Sequence, residues 1–316
     1  MATFWKSGTS AADRWGRYVS RGTFGLGAKP IDILARVLNG LLMLAMPLGL
    51  GVVLRRRAGG RWGLYGAGAL TFIGSQVLHL PFNGLVLNPQ LEALGFGERG
   101  LSSALVLSAA LLGLSSGVFE EGARFLALRF WQRSARSWRE SLMFGAGYGG
   151  AEAILVGILA LVAILQAMAY RGSDLSQILP ADQVATAEAQ LAAYWSAPWP
   201  EALLGAAERA FSLMVHLSLS AMVMRALTHR NPGWLGAAVG WHALVNAVAV
   251  IALFNLSPAA TEVVIGLTAG LSLGILFALR EPPAKRTSEP GDPLPKLTRA
   301  VVKPAAARLE ESKYAD

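Results

Sequence analysis

The chain has 316 residues, 53% of them hydrophobic and 15% charged, with 28 Lys and Arg against 20 Asp and Glu and no cysteine. With a mean hydropathy of +0.44, that balance excludes one or two ordinary soluble domains and marks a multi-span membrane protein. The lack of cysteine excludes disulfides, thiolate zinc sites and cysteine nucleophiles, and the formal charge of +8 does not indicate nucleic acid, because Lys and Arg gather at the ends of apolar stretches, where they anchor helices at the headgroups.

Residues 1–31 lack the long apolar core of a cleavable signal. Phe4, Trp5, Trp15 and Tyr18, set among Lys6, Arg14, Arg17, Arg21 and Lys29, predict an interfacial amphipathic segment. Apolar runs of about 20 residues then predict seven spans over 32–54, 62–84, 101–131, 141–169, 200–228, 234–255 and 261–280. Residues 32–280 therefore read as one all-α transmembrane helix bundle. The 170–199 connection, with Asp174, Asp182 and Glu188, reads as an external loop. Residues 281–316, carrying Pro282, Pro283, Pro290, Pro293 and Pro304 among mixed charges, read as a flexible cytoplasmic tail. Arg55, Arg56, Arg57 and Arg61 follow the first span, Arg129, Arg133, Arg136 and Arg139 the third, and Arg225 and Arg230 the fifth. By the positive-inside rule those ends are cytoplasmic and the N-terminus is outside. A multi-pass protein of the bacterial inner membrane, in contact with membrane lipid, is the expected setting.

Carboxylates inside such spans are costly. Even lenient insertion scales put one central acidic residue at about 2.5–3.5 kcal/mol, yet Glu120 and Glu121 stand side by side in the third span with Arg124 one turn on. At about 1.5 Å of rise per helical residue, Glu121, Glu152, His216 and His242 all fall roughly 12–18 Å from the cytoplasmic surface. Asn246 lies one turn beyond His242 on the same face. Glu208 and Arg209 lie nearer the outer surface, with Arg209 two turns before His216. Two imidazoles and a carboxylate with an open position suit zinc and its activated water, a second carboxylate can take the water proton, and an amide can donate to the developing oxyanion. The expected metal set is Glu121, Glu152, His216 and His242. His79 beside Leu80 and Pro81 reads as structural, His229 as a solvated flank, and Tyr148 as either a proton donor or a packing residue.

The ordered motifs Phe119-Glu-Glu-Gly-Ala-Arg124, Gly145-Ala-Gly-Tyr-Gly-Gly-Ala-Glu-Ala153, Glu208-Arg-Ala-Phe-Ser-Leu-Met-Val-His216 and His242-Ala-Leu-Val-Asn246 resemble those of the YhfC family of intramembrane metalloproteases. That family is similar to the CAAX prenyl proteases and bacteriocin-processing enzymes. The resemblance implies that Glu120 and Glu121 hold or activate the hydrolytic water, that His216 and His242 complete the site, and that Asn246 pairs with His242 in oxyanion stabilisation. The family pattern has a histidine where this chain carries Tyr148, and Glu152 is the residue placed to replace it.

Three functions fit this set. The first is a metal-dependent endopeptidase cutting a peptide or membrane-protein segment near the cytoplasmic leaflet. The second is an inactive family member serving as a subunit of a membrane complex, and the third is a proton- or cation-coupled transporter using the buried acids.

Overall fold

A computed structural model describes residues 29–95 and 101–280. The expectations for residues 1–28 and for the 281–316 tail lie outside the described residues. The described chain is helical, in the order α1 Pro30–Ala58, α2 Trp62–Phe82, α3 Ser103–Leu126, α4 Trp138–Ala169, α5 Ala181–Ser196, α6 Leu204–Thr228, α7 Gly233–Asn255 and α8 Pro258–Ala278. All but α5 are long and apolar enough to cross a membrane, which gives the expected seven spans. Exposed Leu70, Val77, Leu78, Leu165, Leu253 and Leu267 cover the outside of the bundle, as the bilayer requires.

Local chemistry sets the helix ends. Ser102, Ser137 and Ser257 cap α3, α4 and α8 by accepting from Leu105, Glu140 and Ala260 N–H groups. Gly59, at φ 69°, closes α1 in the left-handed conformation that a side chain would disfavour. Two helices run on through π-helical turns, α2 over Asn83–Leu87 into a short helix at Asn88–Ala93, and α3 over Ala127–Trp131.

The 170–199 connection differs from the expected loop, because it contains α5. Its alanine-rich sequence favours helix, its apolar side chains Val184, Leu191 and Trp195 are only half-buried, and none of its residues is buried. Arg36 of α1 ties down its end, donating to the carbonyls of Tyr194 at 2.5 Å and Ala197 at 2.9 Å with its guanidinium 4.9 Å from the Tyr194 ring centre.

The bundle centres on α6. In its apolar window 67% of residues are buried, against 39% or less for the other spans, and it packs on α4, α7 and α8. The α2–α4 pair is close enough for backbone contact. A Cβ on Gly147 would stand 1.9 Å from the Tyr65 carbonyl oxygen, and one on Gly68 2.0 Å from that of Phe144. Backbone cannot yield as a flexible side chain does. Gly147→Ala is therefore expected to cost about 1–3 kcal/mol through overpacking. Gly122→Ala, with open space around it, should be neutral or mildly stabilising. Unfolding midpoints in detergent compare the two.

Candidate functional site

The polar residues of the spans converge where α3, α4, α6 and α7 meet. Arg124 is fully buried. Its Nη1 donates to Glu121 Oε2 at 2.9 Å and its Nη2 to His216 Nδ1 at 3.1 Å, and its guanidinium lies 4.1 Å from the centre of the Tyr148 ring. A guanidinium has no acceptor, so His216 Nδ1 must carry a lone pair and the ring proton sits on Nε2. From there it is donated to Glu152 Oε2 at 2.8 Å, an oxygen that also accepts from Ser212 at 3.0 Å. Glu152 Oε1 takes a guanidinium N–H of Arg209, and Arg209 also donates to Glu208. On the other branch, Glu121 Oε1 lies 2.8 Å from His242 Nδ1. An arginine-paired carboxylate only accepts, so Nδ1 holds the proton of His242 and Nε2 is the acceptor of the neutral ring. A continuous ionic chain thus runs Glu208, Arg209, Glu152, His216, Arg124, Glu121, His242. Each partner offsets the desolvation cost of the next.

Beside this chain is a cavity of about 110 Å³, lined by Glu120, Glu152, Glu208, Arg209, Ser212, His216, His242 and Asn246, with Val215, Val245, Ala249 and Ile265 as its apolar wall. It has room for water, and carboxylate, imidazole and amide groups to bind it. The two adjacent glutamates separate here. Successive helical residues point about 100° apart, so Glu120 lines the cavity while Glu121 and Arg124 sit behind its wall, 0% exposed.

Of the expected site residues, Glu120, His216, His242 and Asn246 share the cavity, and Glu121 and Arg124 support it. The expected metal set of Glu121, Glu152, His216 and His242 is not assembled as a ligand sphere. Both oxygens of Glu121 and of Glu152 and both nitrogens of His216 are engaged by protein partners. Of that set only His242 Nε2 is left, and the other unengaged donors on the cavity are the Glu120 carboxylate and one oxygen of Glu208, which do not gather with it into the three-ligand set typical of catalytic zinc. Among the described residues no group of three His, Asp or Glu is arranged to hold a metal ion. As arranged, the donors do not fit the metal.

Tyr148 is a platform. It is fully buried under Arg124, its hydroxyl lies 3.1 Å from that of Ser75, and its ring packs 5.4 Å from that of His216. Glu152, one turn on, reaches His216 as a hydrogen-bond partner. Sequence reasoning passed over the α2 wall. Gln76 Nε2 approaches Glu120 Oε1 at 3.4 Å, and buried His79 stacks on Phe119 and pairs with Asn83 at 3.0 Å, within electrostatic reach of Glu120 and His242. The signal was a polar stripe at four-residue spacing, Thr71, Ser75 and His79, all three buried.

Fold and site together define a polytopic α-helical membrane protein with a charged, hydrogen-bonded cavity inside its bundle. Residues 42–266 match the family described as YhfC intramembrane metalloprotease, and the chain belongs to that family. It is 31% identical over 251 residues to the "Uncharacterized membrane protein YhfC" of Bacillus subtilis (strain 168), an alignment covering 75% of this chain and 92% of that protein. No solved structure matches it significantly.

Proposed function

We propose that the protein is an intramembrane endopeptidase that hydrolyses a peptide bond in this cavity, in the bacterial inner membrane. The observation that carries the reading is that the Glu120 carboxylate and His242 Nε2, which no arginine of the ionic chain engages, keep proton-accepting capacity on a water-sized space that Asn246 also lines. In the proposed step a water oxygen attacks the peptide carbonyl carbon. Its proton passes to Glu120 or His242 Nε2, the carbonyl oxygen becomes an oxyanion that accepts from the Asn246 amide, and the proton is returned to the amine as the C–N bond breaks. Glu121 and Arg124 are positioning residues that fix the tautomers of His242 and His216. The zinc implied by the resemblance finds no group of three donors among the described residues, so no step is routed through it.

The same engagement of donors supports a second reading, an inactive family member acting as a subunit of a membrane complex. Proteoliposomes carrying fluorogenic membrane-embedded peptides separate the two. The native chain should cleave, and Glu120→Gln should cleave about 10²–10⁴-fold more slowly with its unfolding midpoint unchanged. No cleavage by the native chain across a broad peptide set favours the subunit reading.

A further inference from the structure

The cavity is placed to be entered from one end of the bundle. Glu208, Arg209, Ser212, Asn246, Ala249 and Ile265 of its lining lie on the halves of α6, α7 and α8 away from the arginine-rich ends, Glu152, His216 and His242 lie near mid-helix, and Glu120 lies on the arginine-side half of α3. Glu208 and Arg209 stand just inside the start of α6, Ile265 in the first half of α8, and Ala249 in the last third of α7. Among the carboxylates of the ionic chain, side-chain exposure rises from 0% at Glu121 to 25% at Glu152 and 40% at Glu208, with Arg209 between the last two at 9%. At the opposite end are Arg55, Arg56 and Arg57 in the last turn of α1, Arg129 after α3 and Arg225 in the last turn of α6, the positions that the positive-inside rule makes cytoplasmic.

We infer that the substrate is a peptide segment presented from the extracytoplasmic side, admitted past a latch formed by Glu208, Arg209 and Glu152, an inference that rests on the endopeptidase reading for the nature of the ligand. A cavity of about 110 Å³ is smaller than the roughly 300 Å³ at which ligand sites begin. It holds water and one reacting group but no stretch of backbone. Something at the mouth must move. Arg209 crosses that mouth, bound on one side to Glu208 and on the other to Glu152, and Glu152 in turn holds His216 and Ser212. A segment that parts Glu208 from Arg209 widens the entrance and reaches the site without disturbing the buried Arg124–Glu121 pair. Entry from the arginine-rich end meets the packed α4–α6 core instead, with Leu219, Val223, Phe144 and Met143 fully buried. Lys6, Arg14, Arg17, Arg21 and Lys29 count against this orientation under the same charge rule, so orientation and access are tested separately.

The chain has no cysteine, so single cysteines report without background. Ala249→Cys and Ile265→Cys line the cavity, Thr186→Cys marks exposed α5, and Ser134→Cys marks the exposed α3–α4 connection at the arginine-rich end. Each is exposed to a membrane-impermeant cationic methanethiosulfonate in right-side-out and in inverted vesicles. Thr186→Cys, Ala249→Cys and Ile265→Cys should react in right-side-out vesicles and Ser134→Cys only in inverted ones, with the cavity positions slower than Thr186→Cys by an order of magnitude or more because the latch must open. Cavity cysteines that react in company with Ser134→Cys, or in neither vesicle type, overturn the entry route. Ser134→Cys reacting in right-side-out vesicles overturns the orientation. Labelling needs no catalysis, so a protein that labels as expected yet cleaves nothing keeps this inference and loses the endopeptidase reading of its ligand.

Discussion

Arg124→Met should destabilise the folded protein by about 3–5 kcal/mol, the usual cost of removing one partner of a buried ion pair. The guanidinium is 0% exposed and is the only cation bound to Glu121, also 0% exposed. Methionine fills much of its volume and stacks on Tyr148, which isolates the electrostatic loss from a cavity effect. Glu121 is then left with His242 alone, and His216 Nδ1 loses its donor. Adding Glu121→Gln removes the stranded charge while keeping an acceptor for His242, so the double variant should be more stable than Arg124→Met, and the cycle should return a coupling energy within the 0.5–3 kcal/mol range of residues in contact. Unfolding curves in detergent for the four proteins of the cycle check this. A cost below about 1 kcal/mol for Arg124→Met would mean that water reaches the pair and that the ionic chain is not the support of the site.

Much of this was legible in the sequence because bilayers impose simple rules. Seven apolar runs of spanning length became seven helices, with boundaries displaced by a few residues where Ser caps and π-helical turns extend them. Counting along each helix also picked out residues that interact: Glu121 pairs with His242 and Glu152 with His216, and Arg124 joins the two pairs. Height does not give azimuth or reach. Glu120 and Glu121 differ by one residue and by the whole function of their side chains, one on the cavity and one behind it. Spacing alone left open whether Glu152 and His216 would share a metal or hold each other. The answer depends on Arg124 reaching across from α3 to donate to His216 Nδ1, a contact set by how α3 and α6 are rotated against each other. His79, which reads as structural beside Leu80 and Pro81, stacks on Phe119 and pairs with Asn83, while Gln76 of the same helix is the residue that approaches Glu120, and nothing in its spacing marked it. Helix α5 carries an apolar stripe at helical spacing, Val184, Ala187, Leu191 and Trp195, but it is too short and polar to read as a span.

The largest functional effect should follow from His242→Gln. Glutamine preserves a donor toward Glu121, roughly fills the ring's space, and removes the one imidazole nitrogen on the cavity that no protein group engages. Unfolding midpoints should therefore stay near those of the native chain, while cleavage falls by about 10²–10⁴-fold, the range for loss of a general acid–base group. A carboxylate that holds an imidazole N–H and orients the far nitrogen toward the reacting atoms is a recurring device of hydrolytic sites, and the Glu121–His242 pair has that form. Groups acting on one step lose their effects together. The Glu120→Gln, His242→Gln double variant should thus be little worse than the poorer single one. Effects that multiply fully would assign the two residues to separate steps. Cleavage that survives His242→Gln would remove His242 from the chemistry and leave it as the buried end of the ionic chain, with Glu120 the proposed base.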